Sequence, residues 1–588
     1  MKQFIEILTE EFEAAFLKAG YEKEYGKVSL SNRPDLCEYQ CNGAMAGAKK
    51  YKKAPFQIAE EVVTYLEHSN ICSSVEVVKP GFININIKAS FLAEYNTQMI
   101  KEENLGLLKT TYPEMIMVDY GGPNVAKPLH VGHLRSAVIG ESIKRTAKKM
   151  GHHVLGDIHL GDWGYQMGLI ITEVKERQPE LCYFDEGYEG AYPTEAPFTI
   201  GELEEIYPTA SQKAKKDEAY RQAALLATAH LQSGQRGYLA LWRHIMGISV
   251  ADLKKNYEKL NVHFDLWLGE SDAQQYIPPM VEKMKEEGYA YEDQGALVVD
   301  VEEEGDTKEI PPCIILKSDG ASLYSTTDLA TIVQREEMYH PDSLIYLADK
   351  RQDLHFLQVF RTAKKTKLIP DTTNLTFLGF GTMNGKDGKP FKTRDGGIMR
   401  LESLIKDIQD EMYKKIMDNR TVSAKEAREI ADIVGIAALK YADLSNQAAK
   451  DYVFDIERFT SFEGNTGPYI LYTIVRIKSI LNKYGGDMEH LDEIKNTFEV
   501  DKEQKELMLS VARYSEVIAG AAVELAPHKI CAYLYEVSNT FNKFYHGTKI
   551  LSEENQEKKK GYLSLLRLTK KVLEECIALL GFSAPEKM

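Results

Sequence analysis

A chain of 588 residues exceeds what one hydrophobic core can serve, and a prior of about one domain per 150 residues predicts three or four domains. With 44% hydrophobic and 27% charged residues, and no apolar run near the ~18 residues a membrane span needs, a membrane-embedded chain is excluded and a soluble, globular one expected. A net charge of −16 excludes a surface that is basic all over, so a nucleic-acid partner would have to be met by local patches. Lys49, Lys50, Lys52 and Lys53 around Tyr51, the run from Lys144 to Lys149, and the run from Arg361 to Lys367 are such patches. For any one of them a solvated helix face is the commoner explanation.

The opening stretch, MKQFIEILTEEFEAAFLKAG, threads acids through its apolar positions. That pattern predicts an amphipathic helix and not a secretory leader, and with it a cytoplasmic protein. The seven cysteines are scattered and contain no C-x-x-C pair, which predicts reduced thiols and no structural zinc. VEVVKPGFININIKA (75 to 89) predicts two strands around the Pro80-Gly81 turn, and residues 1 to 110 read as a small α+β domain.

A second domain is expected over 111 to 410. Met115 to Val118 is a short, continuous apolar run bounded by turn residues, as in a strand buried on both faces. A helical pattern follows through Leu134, Ala137, Val138, Ile143 and Ala147 to Gly151, and Val154, Leu155 and Ile158 mark a further strand. Strand, glycine-rich turn, helix and strand make a βαβ unit with parallel strands. Residues 174 to 237, polar and tyrosine-rich, read as an insertion. SLIYLAD (343 to 349) and LTFLGFG (375 to 381) resume the strands, with a helix between them. From 411 to 588 the pattern is helical: Leu507, Val511, Tyr514, Ile518, Ala521 and Leu525, then Ile530, Leu534, Val537, Phe541 and Phe544, step by three and four.

Chemistry concentrates in GGPNVAKPLHVGHLRS (121 to 136). In a doubly wound sheet a ligand sits beyond the strand ends, where the next helix presents free N–H groups and partial positive charge. His130 and His133 share a face at that helix start, and Gly132 leaves the backbone bare enough for a phosphate. Two imidazoles there suit charge building on phosphate oxygens during nucleotidyl transfer. Metal ligation, core packing and helix capping are the plainer alternatives for an H-x-x-H pair.

PNVAKPLHVGHLRS resembles the first signature of class I aminoacyl-tRNA synthetases, in the form carried by arginyl-tRNA synthetases. CEYQCNGAMAGAKK (37 to 50), HLGDWGYQMG (159 to 168), FDLWLGES (264 to 271), LYSTTDLA (323 to 330), RQDLHFLQVF (351 to 360), GKPFKTRDGG (388 to 397) and YADLSNQAAKDYVFDIERFTSFEGNTGPYILYT (441 to 473) resemble the same family in the same order. The resemblance implies a multidomain α/β protein: a Rossmann-like, doubly wound parallel-sheet catalytic domain, a small α+β N-terminal domain touching the tRNA corner, and an all-helical C-terminal domain reading the anticodon. It implies activation of L-arginine by ATP, with Mg2+, to arginyl-adenylate, and transfer to the 2′-hydroxyl of the terminal adenosine of tRNA-Arg. Members of this type that need tRNA before they activate the amino acid imply the same requirement here.

Carried over by the same resemblance, His130 and His133 contact the ATP phosphates, with Pro123 and Gly132 beside them. The second class I signature ends in a lysine, but Asp395 or Gly396 stands about where it would be. Lys127, three residues before His130, is expected to do that lysine's work with Lys392 and Arg394 as helpers; a solvated turn residue is the alternative for Lys127. Glu270 and Asp328 are placed on the substrate guanidinium, which forks onto paired carboxylates, with Tyr324 alongside and Gln352 nearby. Asp119 and Asn124 take the α-amino and carboxyl ends. His355 is a candidate for the nucleotide side, and Gly379, Phe380, Gly381 and Met383 for the adenine wall; plain core at a strand end is the commoner fate of such residues. Tyr469, Tyr472 and Arg476, or Phe544, Tyr545 and Lys549, combine aromatics with basic groups that could stack unpaired bases, although most such residues pack internally.

Two other classes share parts of the pattern. Small-molecule nucleotidylyltransferases also use an H-x-G-H turn, but at their first strand and without a long helical C-terminal domain. An inactive tRNA-binding paralogue would not need His130, His133, Asp328 and Lys127 intact. With no heptad or exposed apolar seam, a monomer is expected.

Overall fold

The computed structural model describes residues 1–389, 399–418, 422–486, 490–494 and 500–588. The chain divides into two compact units, residues 1–110 with 461–579 and 583–588, and residues 111–460 with 580–582.

In the first unit the helix Phe4–Lys18 buries Phe4, Leu8, Phe12, Ala15 and Phe16, the helical stripe that the opening sequence carries. It accompanies a four-stranded antiparallel sheet of β1 (Val28–Leu30), β2 (Tyr39–Cys41), β3 (Cys72–Val78) and β4 (Phe82–Ile87), in the order β1-β2-β4-β3. The Pro80-Gly81 turn joins β3 to β4, closed by a hydrogen bond from Gly81 N–H to the Val78 carbonyl. The helices Gly43–Tyr51, Pro55–Val63 and Ala89–Lys101 also belong to this unit, and its helical part is made of Gly467–Tyr484, Lys502–Ala512, Tyr514–Val523, Pro527–Gly547 and Gln556–Leu579. Leu507, Val511, Ile518, Ile530, Leu534, Val537, Phe541 and Phe544 form their interior, each 0% exposed.

The second unit is built on a parallel sheet. Its strands are β5 (Met115–Asp119), β6 (His153–Asp157), β10 (Ser343–Asp349) and β11 (Asn374–Phe380), in the order β11-β10-β5-β6. Between β6 and β10 lies a separate antiparallel sheet of β7 (Tyr291–Asp293), β8 (Ala296–Val299) and β9 (Cys313–Leu316). The helix Val131–Lys149 crosses from β5 to β6, as the continuous apolar runs on either side of it require. The order reverses between β10 and β5, which makes their carboxyl ends the topological switch point.

The stretch expected as a polar insertion contains the helices Ile200–Lys216 and Glu218–Gln232, followed by Arg236–Lys259. Ala210, Ala214 and Ala224 pack with Leu169 and Tyr220 there, and alanines are too small to stand out as an apolar stripe. The helix Leu401–Asp418, which straddles the boundary expected at 411, and Ala424–Leu444, expected in the C-terminal domain, pack against Val131–Lys149 and cluster with the α/β unit. Arg135, 1% exposed, explains part of that attachment. Its guanidinium donates to Asp443 and to the carbonyls of Gly381 and Lys450. It thereby ties the helix to the two-residue ladder of β12 (Met383–Asn384) and β13 (Tyr452–Val453).

Candidate active site

The turn after β5 is zipped to the segment after β6. Gly122 N–H donates to Ile158, Gly161 N–H to Pro123, and Val125 N–H to Gly161. Gly121 sits at φ 95°, a backbone state that a side chain would strain, and its missing Cβ leaves room for the Phe264 ring. The turn delivers His130 to the cap of the helix. Its Nδ1 accepts from Gly132 N–H at 3.0 Å, while His133 Nδ1 accepts from His130 N–H at 3.2 Å. A backbone N–H can only donate, so both imidazoles carry their proton on Nε2. The rings lie 3.9 Å apart between centroids.

Burial lowers the pKa of both histidines, that of His133 to about 3, and the Lys127 ammonium contributes to lowering each. The pair is therefore neutral at physiological pH and presents two Nε2–H donors at the positive end of a helix. Such a pair can donate to phosphate oxygens without a proton changing hands. Lys127 itself lies 4.3 Å over the Tyr207 ring, so it is held by an aromatic face and is not a freely solvated turn residue. Residues 399 to 401 run antiparallel to this turn, with Val131 N–H on the Met399 carbonyl and Leu401 N–H on that of Leu129. Lys392 and Arg394, in the second signature just before, lie outside the described residues.

The helix Tyr324–Tyr339 brings the acidic side together. Tyr324, Asp328, Thr331 and Arg335 recur at spacings of four, three and four, so they share one face. Asp328 Oδ2 lies 2.6 Å from His355 Nε2. The structure thus joins His355 to the carboxylate expected for the guanidinium. Tyr324 is 77% exposed at the helix start, and Gln352 is exposed at the end of a short 3-10 turn, Lys350–Gln352. Glu270 begins a one-turn helix, and burial pushes its carboxyl up to about 7, with Asp162 and Asp328 adding to the rise against His159. Asp162 fixes this turn by accepting from Ser271 N–H and Oγ–H, and a Cβ on Gly269 would collide with its carboxylate.

Asp119 closes β5 with Asp157 as its register partner on β6. Arg335 Nη2 donates to both, at 2.6 and 2.7 Å. One ligand atom each from Asp119, Asp157 and His159 lies within 4.8 Å of the others, yet Arg335 already supplies countercharge to the two carboxylates. Asn124 is exposed and bridges to Gly161, where a Cβ would overlap its amide. Gly381 and Met383 are committed to structure: Gly381 N–H donates to the Ala448 carbonyl, and Met383 is 5% exposed in the β12–β13 ladder. Asp157, His159, Asp162 and Arg335 were not picked out individually from the sequence. The helical spacing from Asp328 to Arg335 was a usable signal for one of them.

In the other unit, Arg476 donates to Asn542, and its guanidinium lies 4.7 Å from the ring centre of Tyr472 and 4.9 Å from that of Tyr545. Tyr469 donates to Asn539 and accepts from Asn542. Phe544 has no part in such a surface: it is 0% exposed and packs edge-on against Tyr562, because its helical spacing is that of the core stripe. Its expected role in stacking bases is corrected accordingly.

Comparison with known proteins agrees with this arrangement. Residues 96–456 match the family described as tRNA synthetases class I (R), catalytic domain; residues 470–588 match the DALR anticodon binding domain; residues 2–87 match the arginyl tRNA synthetase N terminal domain. An arginine–tRNA ligase of Agathobacter rectalis is 65% identical and one of Alkaliphilus oremlandii 56% identical, each over 100% of both chains. Among solved structures, the arginyl-tRNA synthetase of Plasmodium falciparum superposes with a TM-score of 0.81 at 23% identity, and that of Thermus thermophilus with 0.77 at 20%, each covering 100% of both chains; these show a shared fold.

Proposed function

The chain belongs to the arginyl-tRNA synthetase branch of the class I tRNA synthetases, and from that premise we propose how its site joins arginine to tRNA-Arg. It is an arginine–tRNA ligase. The arginine carboxylate attacks the α-phosphate of ATP, taken as its magnesium complex, and forms arginyl-adenylate with loss of pyrophosphate. The terminal ribose 2′-hydroxyl then attacks the carbonyl carbon, and AMP leaves. This first step runs only with tRNA bound.

What supports these roles is that donors and acids converge on one switch point. The neutral Nε2–H groups of His130 and His133 meet phosphate oxygens as charge builds on them. The Lys127 ammonium, steered by Tyr207, draws off the departing pyrophosphate. Lys392 and Arg394 assist it. Asp328, held by His355, and Glu270 take the guanidinium, with Tyr324 and Gln352 at its edge. Asp119 takes the α-ammonium, and Asn124 the carboxyl end. The tRNA is met in the other unit by Tyr469, Tyr472 and Arg476.

The observation that carries most is the paired Nδ1 acceptance, because it leaves both histidines no other tautomer and so two Nε2–H donors. Pyrophosphate exchange measured with each amino acid, with and without tRNA, tests the reaction as a whole. Arginine alone should support it, and only with tRNA. Lys127→Ala should lower the arginine-dependent rate at least tenfold, and a rate near wild type would remove Lys127 from the mechanism. No helix among the described residues is long and apolar enough to cross a membrane. We place the enzyme in the cytoplasm as a monomer.

A further inference from the structure

Three side chains stand in a row at the strand ends. Tyr346 on β10, Asp119 on β5 and Asp157 on β6 are successive register partners, so they project from the same face of the sheet. Arg335 lies against that row and is 1% exposed. A guanidinium in a bidentate pair lays two nitrogens along one carboxylate. This one instead shares a single nitrogen, Nη2, between two carboxylates from adjacent strands. Among the described residues its Nε and Nη1 have no hydrogen-bond partner, and its carbon lies 5.2 Å from the Tyr346 ring centre.

The arrangement carries one positive and two negative charges, so one negative charge is left over. The Asp157 side chain is 1% exposed and that of Asp119 18%, which makes the surplus available to a ligand at Asp119 alone. Among the described residues nothing donates to Asp119 Oδ1.

We propose that Arg335 is a positioning residue for the amino-acid substrate: by pinning Oδ2 of Asp119 beside Asp157, it leaves Oδ1 ionised and open to the α-ammonium. The idea rests on the α-ammonium contact given to Asp119 above. The groups that face Asp119 are Arg335 from the helix, Asp157 and His159 from β6 and its end, and Tyr346 from β10. Burial raises its carboxyl, the Arg335 and His159 charges oppose the rise, and Asp157 adds to it. Without the guanidinium, two acids on neighbouring strands would share one proton, as close carboxylate pairs do. An Asp119 that holds that proton cannot attract an ammonium.

The test uses the full chain in arginine-dependent pyrophosphate exchange with tRNA present, followed from about pH 6.5 to 9. Arg335→Met should raise the KM for arginine at least tenfold at neutral pH and leave the KM for ATP within about twofold, with the arginine KM recovering as pH rises. Arg335→Met combined with Asp157→Asn removes the rival acid, so an arginine KM near that of the wild type and the wild-type pH profile should return. Arg335→Gln removes the charge but keeps a hydrogen-bond donor, and it gives the same readout if the methionine variant fails to fold. Loss of kcat alone, with an unmoved arginine KM and pH profile, would show a merely structural arginine. Asp119→Asn separates the two claims. If it spares the arginine KM, the ammonium contact itself is wrong; if it raises that KM while the Arg335 variants do not, only the positioning role fails.

Discussion

Glu270 shows how far one half-buried residue departs from its ordinary chemistry. Its carboxyl titrates near 7 because burial withholds solvent from the anion, and neighbouring Asp162 and Asp328 add negative charge. A guanidinium needs the anion. Below about pH 7 a proton must leave Glu270 before arginine can bind, so arginine affinity should weaken as pH falls from about 8 to 6. The arginine KM in exchange assays measures it. Glu270→Gln should raise that KM and flatten its pH profile; a profile unchanged by the substitution would show that Glu270 does not face the substrate. Phe544 makes the opposite point about a single residue. Helical spacing marked it as core while its basic neighbours marked it as an RNA contact, and complete burial decides for core. Phe544→Ala should therefore cost about 3–5 kcal/mol in denaturant unfolding, whereas an RNA-facing phenylalanine would cost little.

At the scale of elements, the catalytic turn depends on how closely the helix Val131–Lys149 approaches β5. Gly140 makes that approach possible: a Cβ there would overlap the Tyr120 ring, which follows Asp119 directly. Tyr120 cannot yield easily, since it is 0% exposed and its hydroxyl donates to Glu141. Gly140→Ala should destabilise the protein by about 1–3 kcal/mol, offset only slightly by better helix propensity. Exchange activity should fall with it, because the turn carrying His130 is displaced. Thermal unfolding and exchange rate, measured on the same sample, should both register the change. Element types were legible wherever the apolar pattern was continuous. SLIYLAD is β10 residue for residue, and the run from Met115 lies in β5. The helices between residues 200 and 232 were hidden because small alanines carry much of their packing.

Across the whole molecule, a net charge of −16 leaves an RNA partner to be met by local clusters of basic and aromatic groups. Arg476 sits between Tyr472 and Tyr545, ready to stack or to meet phosphate. Arg476→Ala should raise the KM for tRNA about tenfold or more and leave the KM for arginine and ATP nearly unchanged. Filter binding of labelled tRNA gives an independent check, and undiminished binding would exclude this cluster from the interface.

The amino-acid order by itself determined the family and the strands and helices whose apolar pattern is continuous, and it nominated the candidate site residues, because these reside in local spacing and in motifs that are contiguous along the chain. Tertiary structure alone decided which charges meet. The Arg335 contact to Asp119 and Asp157, the Asp328 hydrogen bond to His355, and the anchoring of Arg135 to Asp443 join residues 27 to 308 positions apart. Ion pairs and hydrogen bonds act over a few ångströms of space, and no periodicity along a chain encodes which distant strand end a helix will cover.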